Sequence, residues 1–202
     1  MNTLQFIHQF VKPFEKLGTR LLRSGAVAIG QIDKEKFLHV VFPPITDEQV
    51  RKIGKKIGKL PGSLRLFLEE TNGLDCFISN FALEGYRANY KRDFESILGQ
   101  PYDILTSNVE SRSIFVGEHI VFFGSYRYDG TLLGISRKTE VVYRINPETG
   151  KALNKWVTID SLIRSELPRL GKIYEKHGND MVDIFKNIKT TPKSEKGTID
   201  IL

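Results

Sequence analysis

The side chains that could carry covalent, acid–base or metal chemistry are four histidines, one cysteine and the carboxylates, of which Glu69 and Glu70 stand side by side. His8, His39, His119 and His177 are scattered, and none has a Cys, His or carboxylate at metal-ligand spacing. Cys76 has no second cysteine with which to form a disulfide or a cysteine-rich zinc site. Its neighbours supply neither a base nor a cause for a lowered thiol pKa, so it reads as a small buried apolar group. Consecutive glutamates on a helix point in different directions, so Glu69 and Glu70 do not make a facing acid–base pair. Gly54, Gly58 and Lys59 suggest a phosphate loop only superficially: the spacing is wrong and no Ser or Thr follows the lysine. There is no Gly-x-Ser-x-Gly elbow and no dinucleotide fingerprint. The inventory points away from catalysis and implies neither a metal nor a cofactor.

The chemistry that does stand out is that of surfaces. Ser125-Tyr126-Arg127-Tyr128-Asp129 is a turn rich in tyrosine and arginine, the residue types enriched where partners bind most tightly. Tyr86, Tyr90 and Arg92 repeat that chemistry in the loop 84–100, so Tyr126, Arg127 and Tyr128 together with these three are the candidate partner-binding set. The competing reading of Tyr126 and Tyr128 lays both rings on a sheet. Arg51, Lys52, Lys55, Lys56 and Lys59 form a second cationic stretch, either a solvated helix face or a phosphate-binding patch. It lacks the aromatic side chains that would stack on single-stranded bases.

Several elements must position these residues. Leu4, Ile7, Phe10, Val11, Phe14, Leu17 and Leu21 share helical spacing, which predicts a helix over 3–23 that starts or kinks at Pro13. Residues 26–42 read as a hairpin closed by Pro43-Pro44, either added to the main sheet or forming a small lobe. Thr46 and Gln49 make a capping box for a helix over 46–58. A second helix follows Pro61 and stops at Asn72-Gly73. A strand is expected at 77–83, a short helix at 92–98 and helical structure at 103–113. Residues 119–124, 131–136 and 140–145 read as a three-stranded antiparallel meander, with Asp129-Gly130 and Asn146–Gly150 as its turns. Trp156 is expected to be largely buried between that sheet and a helix over 158–176. A short helix from 179 and a lysine-rich disordered tail over 187–202 complete the chain.

Phe122-Phe123-Gly124, Asp129-Gly130-Thr131-Leu132-Leu133-Gly134-Ile135 and Val141-Val142-Tyr143-Arg144 before Asn146-Pro147-Glu148-Thr149-Gly150 resemble the second half of a SUKH-superfamily domain. Leu60-Pro61-Gly62, a helix and Asn72-Gly73 resemble its first half, in the expected order. The resemblance covers roughly residues 44–176. It implies a single α+β domain at 44–186: a mostly antiparallel sheet with a central meander, flanked by helices. Residues 1–43 would be an N-terminal extension of it. The family includes a fungal cell-wall-synthesis regulator and many bacterial immunity proteins that neutralise secreted toxins. By resemblance this is a cytoplasmic, non-catalytic binding protein, with an immunity role first and a regulatory scaffold as the alternative.

Composition sets the outer bounds. A chain of 202 residues is long enough to bury a substantial core. No apolar run is long enough to span a bilayer as a helix, so no membrane insertion is expected. The net charge of +6 favours an acidic protein partner over a nuclease groove, which is itself basic. A nucleic-acid-binding module using 51–59 and the tail is a further, less favoured alternative.

Overall fold

The computed structural model describes residues 1–177; the expected short helix after 179 and the tail 187–202 lie outside them. Helix α1 (Thr3–Val11) begins at a capping box in which Asn2 accepts from the Gln5 backbone N–H at 2.8 Å while Gln5 accepts from that of Asn2 at 3.2 Å. The helix is shorter than its apolar spacing predicts. Pro13 lacks the N–H that the ladder needs, and the chain tightens into a 3-10 helix over Lys12–Leu17. Residues 19–21 are then strand β1 (Thr19–Leu21), so Leu21 is an exposed edge residue and not part of a helix face.

Among the described residues, nine strands follow one another across a single sheet in chain order, every neighbouring pair antiparallel. They are β1, β2 (Val27–Gln31), β3 (Phe37–Val41), β4 (Leu74–Cys76), β5 (Phe81–Leu83), β6 (Ile120–Tyr126), β7 (Thr131–Ser136), β8 (Val142–Ile145) and β9 (Ala152–Trp156). β3 pairs with β4, so the hairpin at 26–42 is part of the main sheet and not a separate lobe. β9 is an addition to the strands expected from sequence.

The stretch 77–83 is not one strand. β4 and β5 are joined by a tight turn in which Phe77, Ile78 and Ser79 all have left-handed φ, near +55 to +63°. Such backbone is costly for side-chain-bearing residues. Asp75 offsets part of that cost by accepting from both the backbone N–H and the hydroxyl of Ser79 at 2.7 Å.

One face of the sheet carries the main core. Val121, Phe123, Leu133, Ile135, Val142 and Trp156 pack there with α1, α2 (Asp47–Ile57), α3 (Gly62–Glu70) and α5 (Ile159–His177). Trp156 is 2% exposed and its indole N–H donates to Ser165 Oγ at 2.9 Å, which ties β9 to α5 as the sequence leads one to expect. The other face is covered in two patches. The short helix α4 (Phe94–Leu98) packs over β2 and β3, and Val116 packs over Ile120, Phe122 and Ile145.

Two asparagines dock the long connections onto this frame. Asn72 bonds the Tyr86 backbone at both its C=O (2.8 Å) and its N–H (2.6 Å). Asn108 treats Phe122 the same way, at 2.7 and 2.9 Å. Each side-chain amide imitates a strand partner, so the loop 84–100 and the helical segment that follows are held against the sheet. That segment turns at Ile104 and becomes a π-helical turn over Thr106–Glu110.

Candidate binding site

A bulge in β6 decides which tyrosine and arginine reach the surface. On β7, Gly134 and Leu133 are adjacent, yet their partners on β6 are Phe122 and Gly124. Phe123 is therefore an extra residue, and the in–out alternation changes parity after it. Before the bulge, Val121 and Phe123 face the main core; after it, Tyr126 does. Gly124 sits at the crossover because a Cβ there would lie 2.5 Å from the Ala82 carbonyl oxygen of β5.

This corrects the candidate set. Tyr126 is 0% exposed, and its hydroxyl donates to Glu166 Oε2 at 2.6 Å. Its ring packs against Phe81 and Tyr128, and the Arg144 guanidinium lies 4.8 Å from its centroid. Burial and the Glu166 carboxylate push its phenol pKa well up. Glu166, itself buried, is held by Arg169 at 2.7 Å, while Arg144 pairs with Asp129 and takes Thr131 Oγ1 at 2.8 Å. Tyr126 is thus a core residue inside a polar network that joins the hairpin to α5. Tyr128 is half-buried beside it. Tyr126 is closed off from a docking surface by its hydrogen bond and packing, and the Tyr128 ring packs edge-on against it, 5.7 Å between centroids.

The same parity change points Ser125 and Arg127 the other way. Both line a cleft of about 400 Å³ between the hairpin and the segment 84–107, where Tyr90 also lies. Tyr90 is 64% exposed and Tyr102, on the cleft wall, is 37% exposed. The Arg127 guanidinium lies 4.5 Å from the Tyr102 ring centroid, and that of Arg87 lies 5.7 Å from the ring of Tyr90. Arg87 also donates to the carbonyls of Asn89, Ser96 and Pro101 at 3.0–3.2 Å, which shapes the loop around it. The structure therefore joins Tyr90 and Arg127. It places Tyr86 in a separate cleft beside Asn72 and leaves Arg92 exposed on the loop, lining neither of these clefts.

Two carboxylates complete the wall. Asp103 is buried and accepts from the Tyr90 hydroxyl and from the Leu105 N–H at 3.1 Å. Its charge, through that hydrogen bond above all, pushes the Tyr90 phenol up to about 12. Glu84 is 5% exposed, and burial raises its carboxyl to about 7, against the hydrogen bond from Ser107 at 2.7 Å. Two acids on one wall are an arrangement also found where acid–base catalysis occurs. Here, however, Glu84 Oε1 is held by Ser107, and Oε2 is buried from solvent with no partner among the described residues. Among the described residues, no group of three or more His, Cys, Asp or Glu is placed to hold a metal ion.

Sequence reading missed Tyr102, Arg87, Glu84 and Asp103. The one available signal was the density of polar and aromatic residues between 84 and 103, which marked a loop but not which side chains converge. No protein-family model matches this chain, and no curated protein shows significant similarity to it.

Proposed function

We propose that this chain is a cytoplasmic, non-catalytic protein-binding domain of the SUKH type, an immunity protein that occludes a secreted toxin by forming a stoichiometric complex. The ordered motifs at 60–73 and 122–150 support the family assignment and its central three-stranded meander. Among the described residues no helix is long and apolar enough to cross a membrane, which is compatible with this role.

The observation that carries the reading is the cleft where Arg127, Tyr102 and Tyr90 lie together at the surface. Tyrosine offers a large contact area with few rotatable bonds, and arginine offers a planar fork that matches a carboxylate. Arg127 forms no ion pair with any described residue, so its charge is available to an acidic partner. A buried Asp103 holding Tyr90 pre-organises one wall, which lowers the entropy lost on binding.

The experiment is co-expression with the secreted protein encoded beside this gene. The wild-type chain protects the cells. Arg127→Ala with Tyr90→Ala abolishes protection and weakens the purified complex by about 2 kcal/mol or more, while the thermal melt changes little. Full protection by that stable double variant would remove the cleft from the interface. Absence of any complex with the neighbouring protein would remove the immunity role.

A further inference from the structure

A second cleft, of about 520 Å³, opens where the end of α2 meets the start of β6, with Lys56, Ile57, Arg112, Glu118, His119 and Arg137 on its walls. Its two half-buried arginines differ from Arg144 and Arg169. Arg144 and Arg169 each meet a carboxylate, Asp129 and Glu166. Arg112 and Arg137 have none within ion-pair distance among the described residues. Neutral oxygens hold them instead. Arg112 donates to the Gly117 and Ile120 carbonyls at 2.7 and 3.0 Å and to Asn108 Oδ1 at 3.4 Å. Arg137 donates to the Glu118 carbonyl at 3.1 Å and to the carbonyls of Ile57 and Lys59.

The fold thus fixes two guanidinium groups near one another with no carboxylate within ion-pair distance of either among the described residues. Burial first, and then the charge of Arg137, lowers the pKa of Arg112. Burial also lowers that of Arg137, with Glu118 acting in the opposite sense. With Lys56, three permanent cations face one carboxylate across the cleft. Not all their donors are used. A guanidinium carries five N–H bonds. The Nε–H and one Nη1 N–H of Arg112, and one N–H on each Nη of Arg137, have no partner among the described residues.

We propose that this cleft binds a small phosphate-bearing molecule. A phosphate dianion balances the surplus of cationic charge and matches the planar donor forks of two arginines. The cleft lies within the size range of small-ligand sites, and Ile57 supplies an apolar wall for the group that bears the phosphate. His119 adds a hydrogen-bonding imidazole. The five cations of the stretch 51–59 divide accordingly: Lys56 lines the cleft, whereas Lys52 pairs with Glu48 at 2.9 Å on the solvated side.

The test is calorimetric titration of the full chain with inorganic pyrophosphate at low ionic strength, with a short single-stranded DNA as the second arm. Pyrophosphate is expected to bind saturably at one site. Lys56→Glu and Arg112→Gln should each weaken it by about tenfold or more, whereas Lys172→Glu, the same charge change on α5, should not. Arg112 also ties backbone carbonyls, so its variant perturbs the fold as well as the charge; Lys56 is exposed, and its variant carries the test alone. Non-saturable binding, or equal losses from Lys56→Glu and Lys172→Glu, would overturn the site. So would tighter binding of the DNA with losses spread over Arg51, Lys55 and Lys59, which would mark a general polyanion surface.

Discussion

Tyr126→Phe isolates one hydroxyl in the polar network behind the hairpin. The ring keeps its contacts with Phe81, at 5.4 Å between centroids, and with Arg144. What is lost is the 2.6 Å bond to Glu166 Oε2. A hydrogen bond to a charged group is worth about 1.5–3 kcal/mol. Glu166 Oε2 still accepts from Arg169 at 2.7 and 3.1 Å, so no charge is orphaned and the loss should fall near the lower end, about 1.5–2 kcal/mol. For a protein of this size that is a fall in Tm of roughly 3–8 °C. Tyr126→Ala also opens a cavity and should cost about 3–5 kcal/mol. Arg127→Ala, one residue away but on the open face, should stay within about 1 kcal/mol of wild type, since it loses an exposed cation–π contact. Urea denaturation of all three, with a double-mutant cycle between Tyr126→Phe and Glu166→Gln, makes the comparison. A Tyr126→Phe loss under about 0.5 kcal/mol together with an additive cycle would refute the buried bond.

Three further outcomes follow from buried groups and close backbone approaches. His39 lies among the rings of Phe10, Phe14 and Phe77, and burial drives its pKa from 6.5 down to about 3. Protonation therefore favours the unfolded chain: the stability is complete above pH 6.5 and is lost as pH falls from 6.5 towards 3. Between about pH 7 and pH 5 the His39 contribution to that loss is about 2 kcal/mol, read as the difference between the pH profiles of wild type and His39→Leu; parallel profiles would place a charged His39 in the fold. Glu84 acts with the opposite sign, because its pKa is raised from 4.5 to about 7: stability is lost as pH rises through that window, and Glu84→Gln should flatten it. Gly124→Ala should destabilise more than Gly130→Ala, because the first Cβ meets the Ala82 carbonyl at 2.5 Å, whereas the second meets nothing within 4 Å and costs only the left-handed backbone at φ +73°, about 1–2 kcal/mol. Melting curves in the reverse order would show that the bulge is not where β6 changes parity.

Local signals carried much of the fold. The capping box at Thr46 and Gln49 starts α2 as its residue types dictate, and Asp129-Gly130 turns the chain between β6 and β7. Trp156 is buried where an aromatic residue between a sheet and an amphipathic helix ought to be. These outcomes depend on neighbours within a few residues, so short-range periodicity and turn chemistry suffice to specify them. The limits of α1 and the break at 77–80 were harder to see. Pro13 acts against an apolar spacing that continues past it, and a left-handed run of Phe, Ile and Ser runs against the preference of each residue. The last of these persists because Asp75 and the strands on either side hold it.

The site lay beyond local reasoning for one physical reason. Strand alternation assigns every residue of β6 to a face only while pairing is regular, and one extra residue at Phe123 exchanges the two faces. Tyr126 and Arg127 are adjacent in sequence, and both carry the composition of a binding surface. The bulge sends the first to Glu166, forty positions away, and the second to Tyr102 on a different loop. Residue type marked the right hairpin; the pairing of β6 with β7 assigned each of its side chains to the core or to the cleft.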